Sequence, residues 1–232
     1  MKIRVPISLA AALFCGVACS SLPGDGVKKQ SQRTTVILLD CTESFEELFP
    51  EACSAVGRVI EGLPPGVVHV LGMTGEDPVV LIQDYLIPVD PSPLREQFYG
   101  SKAQFLKLWT EKFRELRPNH KRSNIFFGLW HASLLFQSTQ RQKELIVLSD
   151  LRHFTRSINM ERVKEVERER ILDALRQQQL LPTLQNVDVH CLGVHLQNKT
   201  PRYWQSLKDF YTNYFAETGA ELRTFRPDFL MN

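Results

Sequence analysis

In Thr35-Val-Ile-Leu-Leu-Asp-Cys-Thr-Glu-Ser44, four apolar residues run straight into Asp40, and a turn bearing hydroxyl side chains then opens an amphipathic segment. A strand buried on both faces reads as such an unbroken apolar run. In an α/β sheet its carboxyl end is the edge where ligands bind. Asp40, Thr42 and Ser44 stand at alternate positions, so one carboxylate and two neutral hydroxyls converge on a single point. An all-oxygen set of that kind suits a hard cation such as Mg²⁺. Ser44-Phe-Glu-Glu47 equally fits a capping box, in which the Ser hydroxyl and Glu47 satisfy free amides at a helix start.

Downstream of this stretch the pattern alternates. Apolar residues recur at helical spacing from Phe45 to Leu63, and Gly62 with Pro64-Pro65-Gly66 ends that helix. Val67–Met73 is a second apolar strand, Gly75-Glu-Asp-Pro78 a turn, and Val79–Tyr85 a third strand near enough to form a hairpin. Pro88, Pro91 and Pro93 mark a loop. Leu94, Phe98, Phe105, Leu108, Trp109, Phe113 and Leu116 then suggest a helical region broken near Gly100, its aromatics read as core. Beyond the basic connector Arg117–Arg122, Ser123-Asn-Ile-Phe-Phe-Gly-Leu129 opens a helix to about Gln137, which Ser123 is placed either to cap or to precede as a free hydroxyl.

Glu144-Leu-Ile-Val-Leu-Ser-Asp150 is the second apolar strand to close on a carboxylate. Neighbouring strands lie about 4.8 Å apart, so Asp40 and Asp150 at adjacent tips would be able to share one ion. Asp40 is expected at the edge of the sheet and not in its packed core. Asn159–Leu180 is charged and helix-favouring, and following Asp150 directly it is placed to project near that edge as a partner surface or a solvated helix. Val187–Val194 reads as a strand, Pro201–Thr218 as the last long helix with Gly219 as its stop, and Glu221–Phe225 as a final strand. The six histidines show no ligand spacing and read as structural. There is no G-x-S-x-G, Walker A or G-x-G-x-x-G motif.

The Asp40-x-Thr42-x-Ser44 spacing, Ser123 and Asp150, in that order, resemble the metal-ion-dependent adhesion site of von Willebrand factor A domains. The resemblance covers about Thr34 to Phe225. It implies a doubly wound, mostly parallel six-stranded sheet with helices on both faces and one antiparallel edge strand. It also implies that Asp40, Thr42, Ser44, Ser123 and Asp150 together hold Mg²⁺ or Mn²⁺ and present it to an acidic residue of a partner protein. Two departures stand out: Ser123 replaces the usual Thr, and Leu151 replaces the Gly that commonly follows the third-loop Asp. Such chemistry favours binding over turnover, and no general base or nucleophile is evident. The rival from the enzyme class is a phosphohydrolase of the haloacid-dehalogenase type, which begins with a strand ending in Asp but usually wants a second Asp where Thr42 stands. A metal-free A-domain scaffold is the third reading.

The amino terminus points to export. Lys2 and Arg4 precede an apolar run from Ile7 to Ala18, too short to span a bilayer but suited to a signal peptide over residues 1–18. Gly16-Val17-Ala18-Cys19 resembles a bacterial lipobox, which implies lipidation of Cys19 and anchoring to a membrane of the bacterial periplasm or cell envelope; ordinary signal cleavage is the alternative. Residues 19–33, polar with Gly and Pro, read as a tether, and 34–232 as one domain. Of five cysteines, Cys41, Cys53 and Cys191 would then stay unmodified, an odd number with no C-x-x-C, read as buried thiols. A formal charge of +2 and the lack of a basic tract with interleaved aromatics argue against nucleic acid as a partner.

Overall fold

Strand β1 (Arg33–Asp40) lies near the middle of a six-stranded sheet of order β3-β2-β1-β4-β5-β6. The structure, a computed structural model, describes residues 33–88, 101–195 and 197–231. The expected signal segment, Cys19, most of the tether, and Leu94 and Phe98 of the expected helical region lie outside the described residues. Strands β2 (Gly66–Met73), β4 (Gln142–Leu148), β5 (Val187–Leu192) and β6 (Glu221–Arg226) run parallel to β1. Only β3 (Val79–Ile87), joined to β2 through the short turn, is antiparallel, at one edge. The fold is thus the doubly wound, mostly parallel sheet that the alternation of apolar runs implies.

Every apolar residue from Val36 to Leu39 is fully buried, because helices cover both faces of β1. Val36 and Leu38 pack with helix α3 (Ile125–Gln137), α4 (Arg168–Gln177) and α5 (Pro201–Thr218). Ile37 and Leu39 face α1 (Phe49–Gly62) and α2 (Lys102–Glu115). Removing each of these side chains from water is worth roughly 2 kcal/mol before chain entropy is subtracted. α2 is tied to α1 by Trp109, whose indole N–H donates to the Cys53 carbonyl at 2.8 Å.

Several boundaries differ from the sequence expectation. α1 starts at Phe49, with Pro50 in its first turn, after a 3-10 turn at Glu43–Phe45. The charged segment from Asn159 is helical only over Arg168–Gln177. Its first part is held otherwise: Asn159 Oδ1 accepts from the Glu161 and Arg162 amides in a local turn, and across the fold the Val166 amide donates to Ser206 Oγ. Strand β4 ends at Leu148, so Asp150 stands two residues past the strand, on a loop. Leu108 is 45% exposed and contributes little to the core, whereas Phe105 and Trp109 are buried.

Candidate functional site

Three loops meet beyond the carboxyl ends of β1 and β4. The first begins at Asp40, whose Oδ1 accepts from the Thr42 amide at 3.0 Å and from Thr42 Oγ1 at 2.6 Å. Its Oδ2 accepts from Ser149 Oγ at 2.6 Å. Ser44 Oγ lies 3.2 Å from Thr42 Oγ1, so Asp40, Thr42, Ser44 and Ser149 form one polar cluster. The capping box expected at Ser44–Glu47 does not form: no side chain caps the 3-10 turn, and the Ser44 hydroxyl points toward Thr42 instead.

The second loop is stitched to the other two. Thr42 makes a parallel bridge with His120 of the basic connector, and the Glu43 amide donates to the His120 carbonyl at 2.9 Å. Ser123 exchanges backbone hydrogen bonds with Phe154 of the third loop, at 3.1 and 2.9 Å. Asn124 and not Ser123 caps α3, its Oδ1 accepting from the Phe127 amide. Ser123 Oγ is left without a hydrogen-bond partner although the residue is only 2% exposed.

In the third loop Asp150 Oδ1 accepts from the Arg152 amide at 2.9 Å, repeating the turn that Asp40 makes with Thr42. Leu151, where a glycine would be easiest, takes the left-handed conformation with φ 60°. It is held there from both sides. Its amide donates to Ser149 Oγ at 2.9 Å, and its carbonyl accepts from Tyr211 at 2.9 Å. The loop therefore keeps a glycine-like shape despite the substitution.

Both carboxylates are fully buried, which corrects the expectation that Asp40 lies at the edge outside the packed core. Burial, and then the neighbouring charge of Asp150, push the Asp40 carboxyl up to about 7 against the lowering effect of the Ser149 and Thr42 hydrogen bonds. Sequence reasoning missed Ser149 and Arg152. The signal for Arg152 was available, since Asp150-Leu-Arg152 repeats the alternate spacing of Asp40-Cys-Thr42. Arg152 Nε lies 3.0 Å from Asp150 Oδ2, an ion pair whose N–H is not aimed at the oxygen and makes no hydrogen bond.

The loops border a cleft of about 360 Å³ whose walls include Glu43, Ser44, Glu47, Glu161, Arg152 and Lys199. Among the described residues no group of three or more His, Cys, Asp or Glu side chains is placed to hold a metal ion, and the oxygen groups on these loops are two carboxylates with the hydroxyls beside them. That composition fits a hard, oxygen-preferring cation and not zinc.

No protein-family model and no curated protein matches the sequence. Solved structures do resemble the fold. A von Willebrand factor type A protein from Catenulispora acidiphila superposes with a TM-score of 0.50 at 18% identity, over 84% of this chain and 39% of that one. The SpRpn10 VWA domain superposes at 0.44 and 12% identity, over 85% and 89%. An aerotolerance-related membrane protein from Bacteroides fragilis gives 0.45 and 13%, over 85% and 93%. The chain spans between 39% and 65% of the length of the first three solved chains it resembles.

Proposed function

From the von Willebrand factor A fold of this chain, we propose that it is an exported binding protein. In this reading Asp40, Thr42, Ser44, Ser123 and Asp150 hold one Mg²⁺ or Mn²⁺ ion, and a carboxylate of a partner protein completes its shell. The observation that carries the reading is the Ser123 hydroxyl, buried without a hydrogen-bond partner on a loop paired to both acidic loops. An unsatisfied buried polar group costs about 1–3 kcal/mol, and a ligand would remove that cost. The raised Asp40 carboxyl points the same way: burial first, and the charge of Asp150 second, disfavour its ionised form, and a bound cation would offset both.

Once bound, such an ion would supply a Lewis-acidic coordination position for the partner's carboxylate. Thr42 and Ser149 orient Asp40 through short hydrogen bonds, and the neutral hydroxyls add no charge that would blunt the ion. The glutamates around the cleft favour entry of cations and disfavour an acidic partner until their charge is offset, which makes partner binding conditional on the ion. Thr42, tied to Asp40 Oδ1, offers no acid for phosphoryl transfer. Residues 1–18 and Cys19 support secretion and lipid anchoring in the bacterial cell envelope. A metal-free scaffold is the second reading, favoured by the Arg152 guanidinium beside Asp150.

Affinity capture from a detergent-solubilised envelope separates the two. We expect a partner retained in Mg²⁺ and lost both in EDTA and with Asp40→Ala. Capture that survives both treatments would leave the scaffold as the better reading.

A further inference from the structure

Arg152 is a buried charge at the site that this function does not use. Its side chain is 7% exposed and lies between two carboxylates, with Nε 3.0 Å from Asp150 Oδ2 and Nη1 3.5 Å from Glu161 Oε2. Neither contact is complete. Nε and Nη2 make no hydrogen bond, and Asp150 Oδ2 accepts none. A buried guanidinium normally demands directed partners, so its loose seating against Asp150 marks an arrangement that can be exchanged.

We propose that Arg152 is the built-in counter-ion of the site: in the metal-free protein it neutralises Asp150, and a divalent cation binds by displacing it toward Glu161. The proposal rests on the reading of Asp150 as an ion-facing carboxylate. Three features carry it. The Asp150 contact is electrostatic only, so leaving it breaks no aligned hydrogen bond. Glu161 is a second carboxylate already within ion-pair distance, and Lys199 donates to the Glu161 carbonyl, which fastens that segment in place. A guanidinium and a divalent ion on the same carboxylate repel twice as strongly as two unit charges, so the two occupy Asp150 in turn. Arg152 therefore lowers the affinity of the site for its ion, and the movement of its side chain in the cleft wall couples ion binding to the surface a partner meets.

The test uses the purified full chain in detergent. Calorimetric titration with Mn²⁺ compares wild type with Arg152→Gln, and the Arg152 Nε–Hε resonance of wild type, assigned by its loss in Arg152→Lys, is followed as Mg²⁺ is added. We expect Arg152→Gln to bind Mn²⁺ at least tenfold more tightly and the resonance to shift in step with saturation. Equal or weaker Mn²⁺ affinity in Arg152→Gln, or a resonance that stays put while Mg²⁺ saturates the protein, overturns the proposal. Uptake by Arg152→Gln alone overturns displacement of Arg152 by the ion, and ion-dependent function in wild type with it, and uptake by neither refutes both. Should Arg152→Gln fail to fold, the wild-type resonance decides.

Discussion

Leu151 carries two opposing demands. Its left-handed backbone costs a non-glycine residue roughly 1–2 kcal/mol, yet its side chain is fully buried against α3, α4 and α5. Trimming a buried Leu costs roughly 3–5 kcal/mol, so packing outweighs strain. Leu151→Gly is expected to lower stability by about 2 kcal/mol in urea unfolding, despite relieving the backbone. The converse holds at Asp40, where the charge itself is the burden. Asp40→Asn keeps an acceptor for Thr42 and offers Ser149 a donor, while ending the repulsion with Asp150. We expect equal or higher metal-free stability by thermal unfolding together with loss of ion binding.

His153 gives a pH signature. It packs on Phe126 with ring centroids 4.4 Å apart, and burial holds its imidazole down to about 3. Unfolded, it would titrate near ~6.5. Between those values the unfolded chain binds a proton that the native side chain refuses, so this group's contribution is present above about pH 6.5 and is lost as pH falls toward 3. His153→Phe should flatten the slope of unfolding free energy against pH in that window by up to ~1.4 kcal/mol per pH unit. An unchanged slope would mean that His153 is solvated in the native state.

At the scale of elements, α3 meets the sheet through Gly128, where an added Cβ would lie 2.9 Å from Met73 Cγ and 3.1 Å from its Sδ. Helix propensity alone favours Ala over Gly by about 1 kcal/mol, whereas overpacking costs about 1–3 kcal/mol. Met73 is fully buried at the end of β2 with little room to yield, so Gly128→Ala should destabilise by about 1 kcal/mol, measured as a lower urea midpoint. Elements with a strong period were legible in the sequence. β1 announced itself by its apolar run, and Pro201–Thr218 appears with the bounds its Pro and Gly punctuation implied. Asn159–Glu167 was not legible, because its helix-favouring composition is overridden by distant partners such as Ser206 that no local pattern reveals. The residues placed at the site on spacing do lie on three interlocked loops. Arg152 shares the alternate spacing of Thr42, but a long cation is ordinarily solvated, and its burial appears only in the fold.

For the whole molecule, a central β1 flanked by β2 and β4, with two covered faces, should be the last region to open. Native-state hydrogen exchange is expected to be slowest at Val36–Leu39 and Ile146–Leu148 and faster in edge strand β3, where Val79 and Val80 are about half exposed. Faster exchange in β1 than in β3 would contradict the layering. The proposed export and lipid anchoring rest on residues 1–19. Cys19→Ala should release the protein from membranes or block its processing, while Cys53→Ala should not, and absence of label from radiolabelled palmitate in wild type would refute the anchor. The central claim is that buried carboxylates and hydroxyls on three loops take up a divalent ion. Calorimetric titration of wild type and Asp40→Ala with Mg²⁺ and Mn²⁺ tests it most directly. One ion bound per chain in wild type and none in Asp40→Ala is the expected result; no uptake by wild type, or equal uptake by both, would contradict it.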